Sequence, residues 1–332
     1  MLTQQTQSAR TPLLPAWLDP RAALRRAYAI NRPLTLLGVL MLVSLAVSAG
    51  GLLLDPRVIT GAPAWLKPAK FSISIVLYAF TLLWMLTFVE GHPRWVRAIS
   101  VVSLVAFIVE MVAVITQVLR GTISHFNAAT PFDIALFNVM GSFVMVIWLM
   151  NLAAAVLLLR QRLPDPAVAW SLRLGLLITL IGGALGFLMT SPTPAQLDAM
   201  RAGLPAAVIG AHSVGVADGG AGLPITGWST VGGDLRIGHF IGLHALQMLP
   251  IVGWLLARRS AARRLRPGQR LALVWIAGAS YLGLIALVTW QALRGQPLIA
   301  PDATTLLAAG AWLAATLLAA GAVFVRGQSA AE

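Results

Sequence analysis

The chain contains no cysteine. Disulfides, thiolate metal sites, iron–sulfur clusters and cysteine nucleophiles are therefore excluded. Charge is scarce as well: Asp, Glu, Lys and Arg make up 11% of 332 residues, against roughly a quarter in an ordinary soluble domain. A soluble chain of this length needs more polar surface than that. Lysine is nearly missing, with Lys67 and Lys70 the only two among 24 basic residues. No Walker loop, Gly-x-Ser-x-Gly elbow, EF-hand loop or dinucleotide fingerprint occurs. The glycine pairs Gly219-Gly220 and Gly232-Gly233 follow no predicted strand, so phosphate binding has no structural context.

What the chain has is apolar length. Hydrophobic residues fill 58% of it, in recurring runs of about twenty, the length a helix needs to cross about 30 Å of hydrocarbon. None of the runs alternates apolar and polar at every second residue, as strands of a membrane barrel do. The expected fold is an all-α polytopic membrane bundle with spans at 33–54, 70–90, 97–119, 131–159, 166–190, 237–257, 270–292 and 302–325. The fourth is long enough to be tilted. Residues 33–326 form one transmembrane domain on this reading, 1–32 a cytoplasmic leader and 327–332 a cytoplasmic tail. The first run, Pro33 to Leu54, is longer than the apolar core of a signal peptide and is taken as a retained anchor. No internal repeat is visible, so an inverted-repeat transporter gains no support.

Orientation follows from the basic residues. Seventeen of the 24 fall on the side of the two termini, including the run Arg258, Arg259, Arg263, Arg264, Arg266 and Arg270. Seven fall on the other side: Arg57, Lys67, Lys70, Arg120, Arg201, Arg236 and Arg294. Both termini are expected in the cytoplasm of a bacterial-type cell, with the chain in its inner membrane. The net charge of +13 is then a topology signal resting on anionic headgroups rather than a nucleic-acid patch. In the leader, Trp17, Leu24 and Tyr28 share a helical face beside Arg21 and Arg25, the pattern of a helix lying on the membrane surface.

Residues 191–236 form one long outer loop that is apolar and glycine-rich after Leu204. Thr193-Pro194-Ala195-Gln196 spells a helix start, with threonine as cap, proline in the first turn and glutamine reaching back. A solvated linker would carry more charge. The loop is expected to fold over the outer mouth of the bundle, where irregular backbone is tolerated if it packs on protein.

Ionisable groups inside apolar helices are costly and point to function. Here they share a depth. Lys70, Ser74 and Tyr78 fall on one stripe at four-residue spacing, beside Lys67. Glu110 and Gln117 lie seven apart on the next span, with Glu110 about 15 Å below the span's outer end. Arg120, His125 and Asp133 follow. His212 lies in the covering loop, and His239 and His244 on the sixth span. In a straight helix those two are about 140° apart, whereas His244 and Gln247 lie within about 60°. His244 is therefore assigned to the inward polar face, and His239 to the loop or the headgroups.

Three chemistries suit such a site. The first is haem b or another redox cofactor, with His125 or His212 opposite His244, with Gly238 and Gly242 leaving room for the macrocycle, and with Lys67, Lys70, Arg120 or Arg236 meeting propionates. Glu110, Gln117 and Asp133 would handle protons. The second is zinc held by three of His125, His212, His239, His244 and Asp133, with Glu110 as general base of a hydrolase acting on a lipid-like substrate. The third is a transporter or binding protein for an anionic or quinone-like molecule. The lipid bilayer is the one partner implied throughout, and the oligomeric state is open.

Overall fold

The computed structural model describes residues 19–328. It is an all-α bundle with seven helices long and apolar enough to cross a membrane, and eight such segments when one bent pair counts as one. Proline opens many of them. It occupies the first turn of α1 (Pro20–Ile30), α2 (Arg32–Leu54), α4 (Pro93–Leu119), α5 (Pro131–Arg160), α6 (Pro166–Ala184), α8 (Pro194–Arg201) and α12 (Pro267–Leu293). At that position its missing N–H is one no helix would use, and its fixed φ suits the first turn. Asp19, Asn31, Thr130, Asp165 and Thr193 cap five of these helices by accepting backbone N–H bonds.

Helix α3 (Leu66–Leu86) begins and ends four residues before the expected 70–90. The stretch after it turns at Gly91, whose left-handed φ of +76° a glycine adopts freely, and α4 restarts at Pro93. The fourth span is a single 30-residue helix. Helix α1 has Leu24 and Tyr28 exposed, 42% and 48%; Trp17 lies outside the described residues. A short helix α7 (Gly186–Thr190) extends α6, and α13 (Ala303–Gln328) packs on α12 at the edge of the bundle.

The sixth span is the exception to straightness. It is split at His244 into α9 (Arg236–Leu243) and α10 (Ala245–Ala257), bent by 41°. Carbonyls released at the bend find other donors: Tyr281 donates to the Ile241 carbonyl at 2.7 Å and Thr179 to the Leu243 carbonyl at 3.2 Å. Such substitution is what allows a broken helix at membrane depth. A Cβ on Gly182 would stand 2.3 Å from the Gly242 backbone, so α6 and α9 touch there backbone to backbone.

The main core joins α2, α3, α4, α5 and α6, and a second core joins α6, α10 and α12. One end of the bundle carries a cap. Its residues are the turn 55–65, the connection 120–130 and the segment 191–235. The all-α class stands, with two minimal hairpins added: β1 (Val58–Ile59) with β2 (Ala62–Pro63), and β3 (Ser213–Val214) with β4 (Gly233–Asp234), both antiparallel. Gly233 belongs to β4, so one of the two glycine pairs does sit at a strand. The capping box at Thr193 and Gln196 forms as the spelling implied. Backbone bonds tie the segment down: Ala128 N–H to Ala207, Ile209 N–H to Phe126 and Ala211 N–H to Met189, each 2.9 Å. At the opposite end the basic run forms the short α11 (Arg259–Arg264).

Candidate functional site

Beneath the cap the structure gathers residues from four distant parts of the chain. Lys67, in the first turn of α3, has its Nζ 3.1 Å from Nδ1 of His125, which the Ser124 hydroxyl also approaches at 3.2 Å. Phe126 adopts a left-handed φ of +62°, an uncommon conformation for a bulky residue. Its ring lies edge-on to His212 at 4.9 Å and to His125 at 6.1 Å. His212 Nδ1 meets Asp218 at 2.8 Å, and the same carboxylate accepts the backbone N–H groups of His212 and Ser213. His239 points its Nδ1 at the Gly182 carbonyl, 2.8 Å away. His125, His212 and His239 lie within electrostatic reach of one another.

The partners of His212 and His239 fix their tautomers. A carboxylate faces Nδ1 of His212 and a carbonyl faces Nδ1 of His239, so both nitrogens carry protons and both Nε2 atoms are acceptors. Where Lys67 donates as an ammonium, Nδ1 of His125 accepts and the ring proton sits on Nε2. Burial, with Lys67 beside it, pushes His125 well below the usual histidine range. Burial also lowers His212, outweighing the bond to Asp218 that would raise it. For Asp218, burial alone would raise the carboxyl, but the bonds from His212 and Ser213 hold it below the usual carboxylate range. The three imidazoles are not set as three ligands. Among the described residues, no three His, Asp or Glu side chains are arranged to hold a metal ion.

The remaining charged groups have separate tasks. Lys70 donates to the Thr226 carbonyl at 3.0 Å and Arg236 to the Gly227 carbonyl at 2.6 Å while pairing with Asp234, so both hold the cap. Asp133 accepts from Gln117 at 2.7 Å, from Thr130 at 2.6 Å and from Arg120, locking the ends of α4 and α5 together. Arg120 also lies 4.5 Å over the Phe132 ring. Glu110 is 2% exposed, and neither carboxyl oxygen has a hydrogen-bond partner. It pairs with neither Lys70 nor Arg120; the charge that faces it is Lys67. Tyr78 reaches Asn151 at 3.4 Å, and Ser74 is half-buried above it on α3.

His244 is elsewhere. It sits at the bend of α9 and α10 and faces a groove of about 880 Å³ between α3, α10 and α12. Nδ1 lies 3.2 Å from Oε1 of Gln247, and the ring packs on Phe240 at 4.3 Å. The groove is walled by Leu77, Trp84, Phe240, Ile251, Trp254 and Leu284, with Thr81 and Tyr281 at its polar spots. His244 keeps its expected partner Gln247 but turns with it to the groove, while His239 turns to the Gly182 carbonyl of α6, within electrostatic reach of His212 in the loop. The space expected at Gly238 and Gly242 is filled. A Cβ on Gly238 would meet Thr289 Oγ1 at 2.1 Å, and Gly242 meets Gly182. Those glycines serve helix packing rather than a flat cofactor.

The fold and its buried polar groups define an all-α bundle of membrane-spanning type with two polar centres, one capped and one opening sideways through a groove. Comparison with protein-family models, with curated proteins and with solved structures finds no match. Sequence reasoning missed Asp218, the partner that orients His212, and Ser124 and Asn127, which hold the turn around His125. Asp218 is six residues from its histidine in a loop, a spacing that no regular element marks.

Proposed function

We propose that this chain is a multi-pass inner-membrane protein with cytoplasmic termini and an outward-facing cap, and that its groove binds the polar head of a neutral, quinone-like lipophile. The observation that carries this reading is the groove at the helix bend: of drug-like size, walled by apolar and aromatic side chains, and lined by no Lys, Arg, Asp or Glu among the described residues. Its one strongly polar pair matches such a head. With Nδ1–H of His244 donated to Gln247, Nε2 of His244 is an acceptor for a quinol hydroxyl. The Gln247 amide N–H groups are donors for a quinone carbonyl. A tail would leave between α3 and α10 into lipid.

A haem reading keeps one supporting observation, since an imidazole held at Nδ1 with Nε2 free is also how histidine ligands are oriented. Against it, the groove offers no cation for propionates, and His125 belongs to the capped cluster. One experiment separates the two. The purified protein in nanodiscs is titrated with a short-chain benzoquinone while tryptophan emission is followed, Trp84 and Trp254 being in the wall. Saturable quenching that weakens about tenfold in His244→Ala, the worth of one good hydrogen bond, supports the proposal. Quenching no greater than partition into protein-free nanodiscs sinks it. A Soret band that moves on dithionite reduction assigns the groove to haem instead.

A further inference from the structure

Helix α4 carries a stripe of buried polar side chains that runs well beyond the capped end. Ser103, Glu110 and Gln117 follow at intervals of seven, with Ser100 one turn further, and each is 0% to 2% exposed. From Gln117 to Ser100 the stripe covers about 25 Å at the helical rise. Each neighbouring element adds polar groups at matching depth. At the capped end stand His125 and Lys67. Two turns beyond Glu110, α3 contributes Tyr78, whose hydroxyl adjoins Ser103 and reaches Asn151 of α5 at 3.4 Å. At the far end Ser100 Oγ accepts from Asn31 Nδ2 at 2.7 Å, at the junction of α1 and α2.

Packing explains part of the stripe. Ser100 also returns its own hydroxyl proton to the Val96 carbonyl, a common way for a small polar residue to sit inside a helix pair. It does not explain Glu110 and Ser103. Neither oxygen of Glu110 has a hydrogen-bond partner in the protein, and the Ser103 hydroxyl, although beside Tyr78, makes no well-aligned hydrogen bond. Unsatisfied polar groups in a membrane interior cost free energy unless water or a transferable proton completes them. A water needs two to four polar partners, and Lys67 above, with Tyr78, Ser103 and Asn151 below, supply them on both sides of Glu110. The stretch between Glu110 and Ser103 is walled by Phe107, which packs on the Tyr78 ring at 4.9 Å.

We propose that α3, α4 and α5 enclose a proton path that enters at the capped histidines, passes through the Glu110 carboxyl and continues along Tyr78 and Ser103 to Ser100 and Asn31. Glu110 is the exchanging group: it takes a proton from the Lys67–His125 side and releases one through water toward Tyr78, so each transfer leaves every residue as it began. The path is independent of the groove. In the test, the full chain is reconstituted in vesicles holding a pH-sensitive dye, with a potassium gradient and valinomycin and no quinone. Wild type is expected to admit protons clearly faster than empty vesicles, and Glu110→Gln to fall to the empty-vesicle rate. Leu307→Ala on the exposed face of α13 keeps the wild-type rate. Tyr78→Phe, which removes one hydroxyl, slows the flux severalfold and serves if Glu110→Gln does not insert. A wild-type rate equal to that of empty vesicles, or an unchanged rate in Tyr78→Phe or in inserted Glu110→Gln, overturns the path.

Discussion

At the scale of single residues, the cap is held by neutral imidazoles that acid would have to charge. His125 and His212 both lie outside the spans, and burial depresses both below the ordinary value of 6.5. In the unfolded chain they take up protons as pH falls through about 6.5, whereas in the folded chain they resist. The unfolded state then binds more protons, so stability is full above that pH and falls as the pH drops toward the folded values. Thermal unfolding in detergent should therefore show a lower midpoint at pH 5 than at pH 7.5. His212→Gln should flatten part of that slope; a midpoint that is level across the range, or that rises on acidification, contradicts the assignment. The clustering of these histidines was legible in the sequence as a shared depth. The pairing of His244 with Gln247 was legible as well; that the pair faces a separate groove was not, because the angular count assumed one straight helix and the bend lies at His244 itself.

At the scale of elements, span existence was legible because hydrophobic length and first-turn prolines are local signals. The bend was not, since it depends on donors from other helices, Tyr281 and Thr179, that no local window contains. The seat of the cap was equally hidden. Gly233 of β4 presses against the end of α12, where an added Cβ would stand 1.9 Å from the Ala292 carbonyl oxygen. That atom is backbone and cannot swing aside. Gly233→Ala should cost about 1–3 kcal/mol, the usual range for overpacking, and should lift the cap from the bundle. The measurement is limited proteolysis between residues 204 and 230, with thermal unfolding alongside. Cleavage at the wild-type rate would mean that β4 does not bear on α12.

At the scale of the whole molecule, the two ends differ in how their charges are neutralised as well as in how many they carry. At the capped end Arg57, Arg120, Arg201, Arg236 and Arg294 all sit in ion pairs with aspartates. At the other end, among the described residues, Arg270 with Asp165 is the ion pair formed. Arg173 bends from within α6 to the Leu158 and Gln161 carbonyls of that same end. The net positive potential is therefore more one-sided than the count of basic residues, and on the proposed orientation anionic lipid of the cytoplasmic leaflet would hold that end. A chain without cysteine makes this directly measurable. Ala221→Cys in the cap and Ala262→Cys in the basic run each place one thiol at an exposed position. In intact cells, a membrane-impermeant maleimide should label the first, and should reach the second only after permeabilisation. The reverse pattern would place the cap and its histidines in the cytoplasm, and protons would then enter the α4 path from the opposite side. Labelling of both in intact cells would mean that the two ends do not lie on opposite sides of the membrane, and the eight-crossing arrangement would fall.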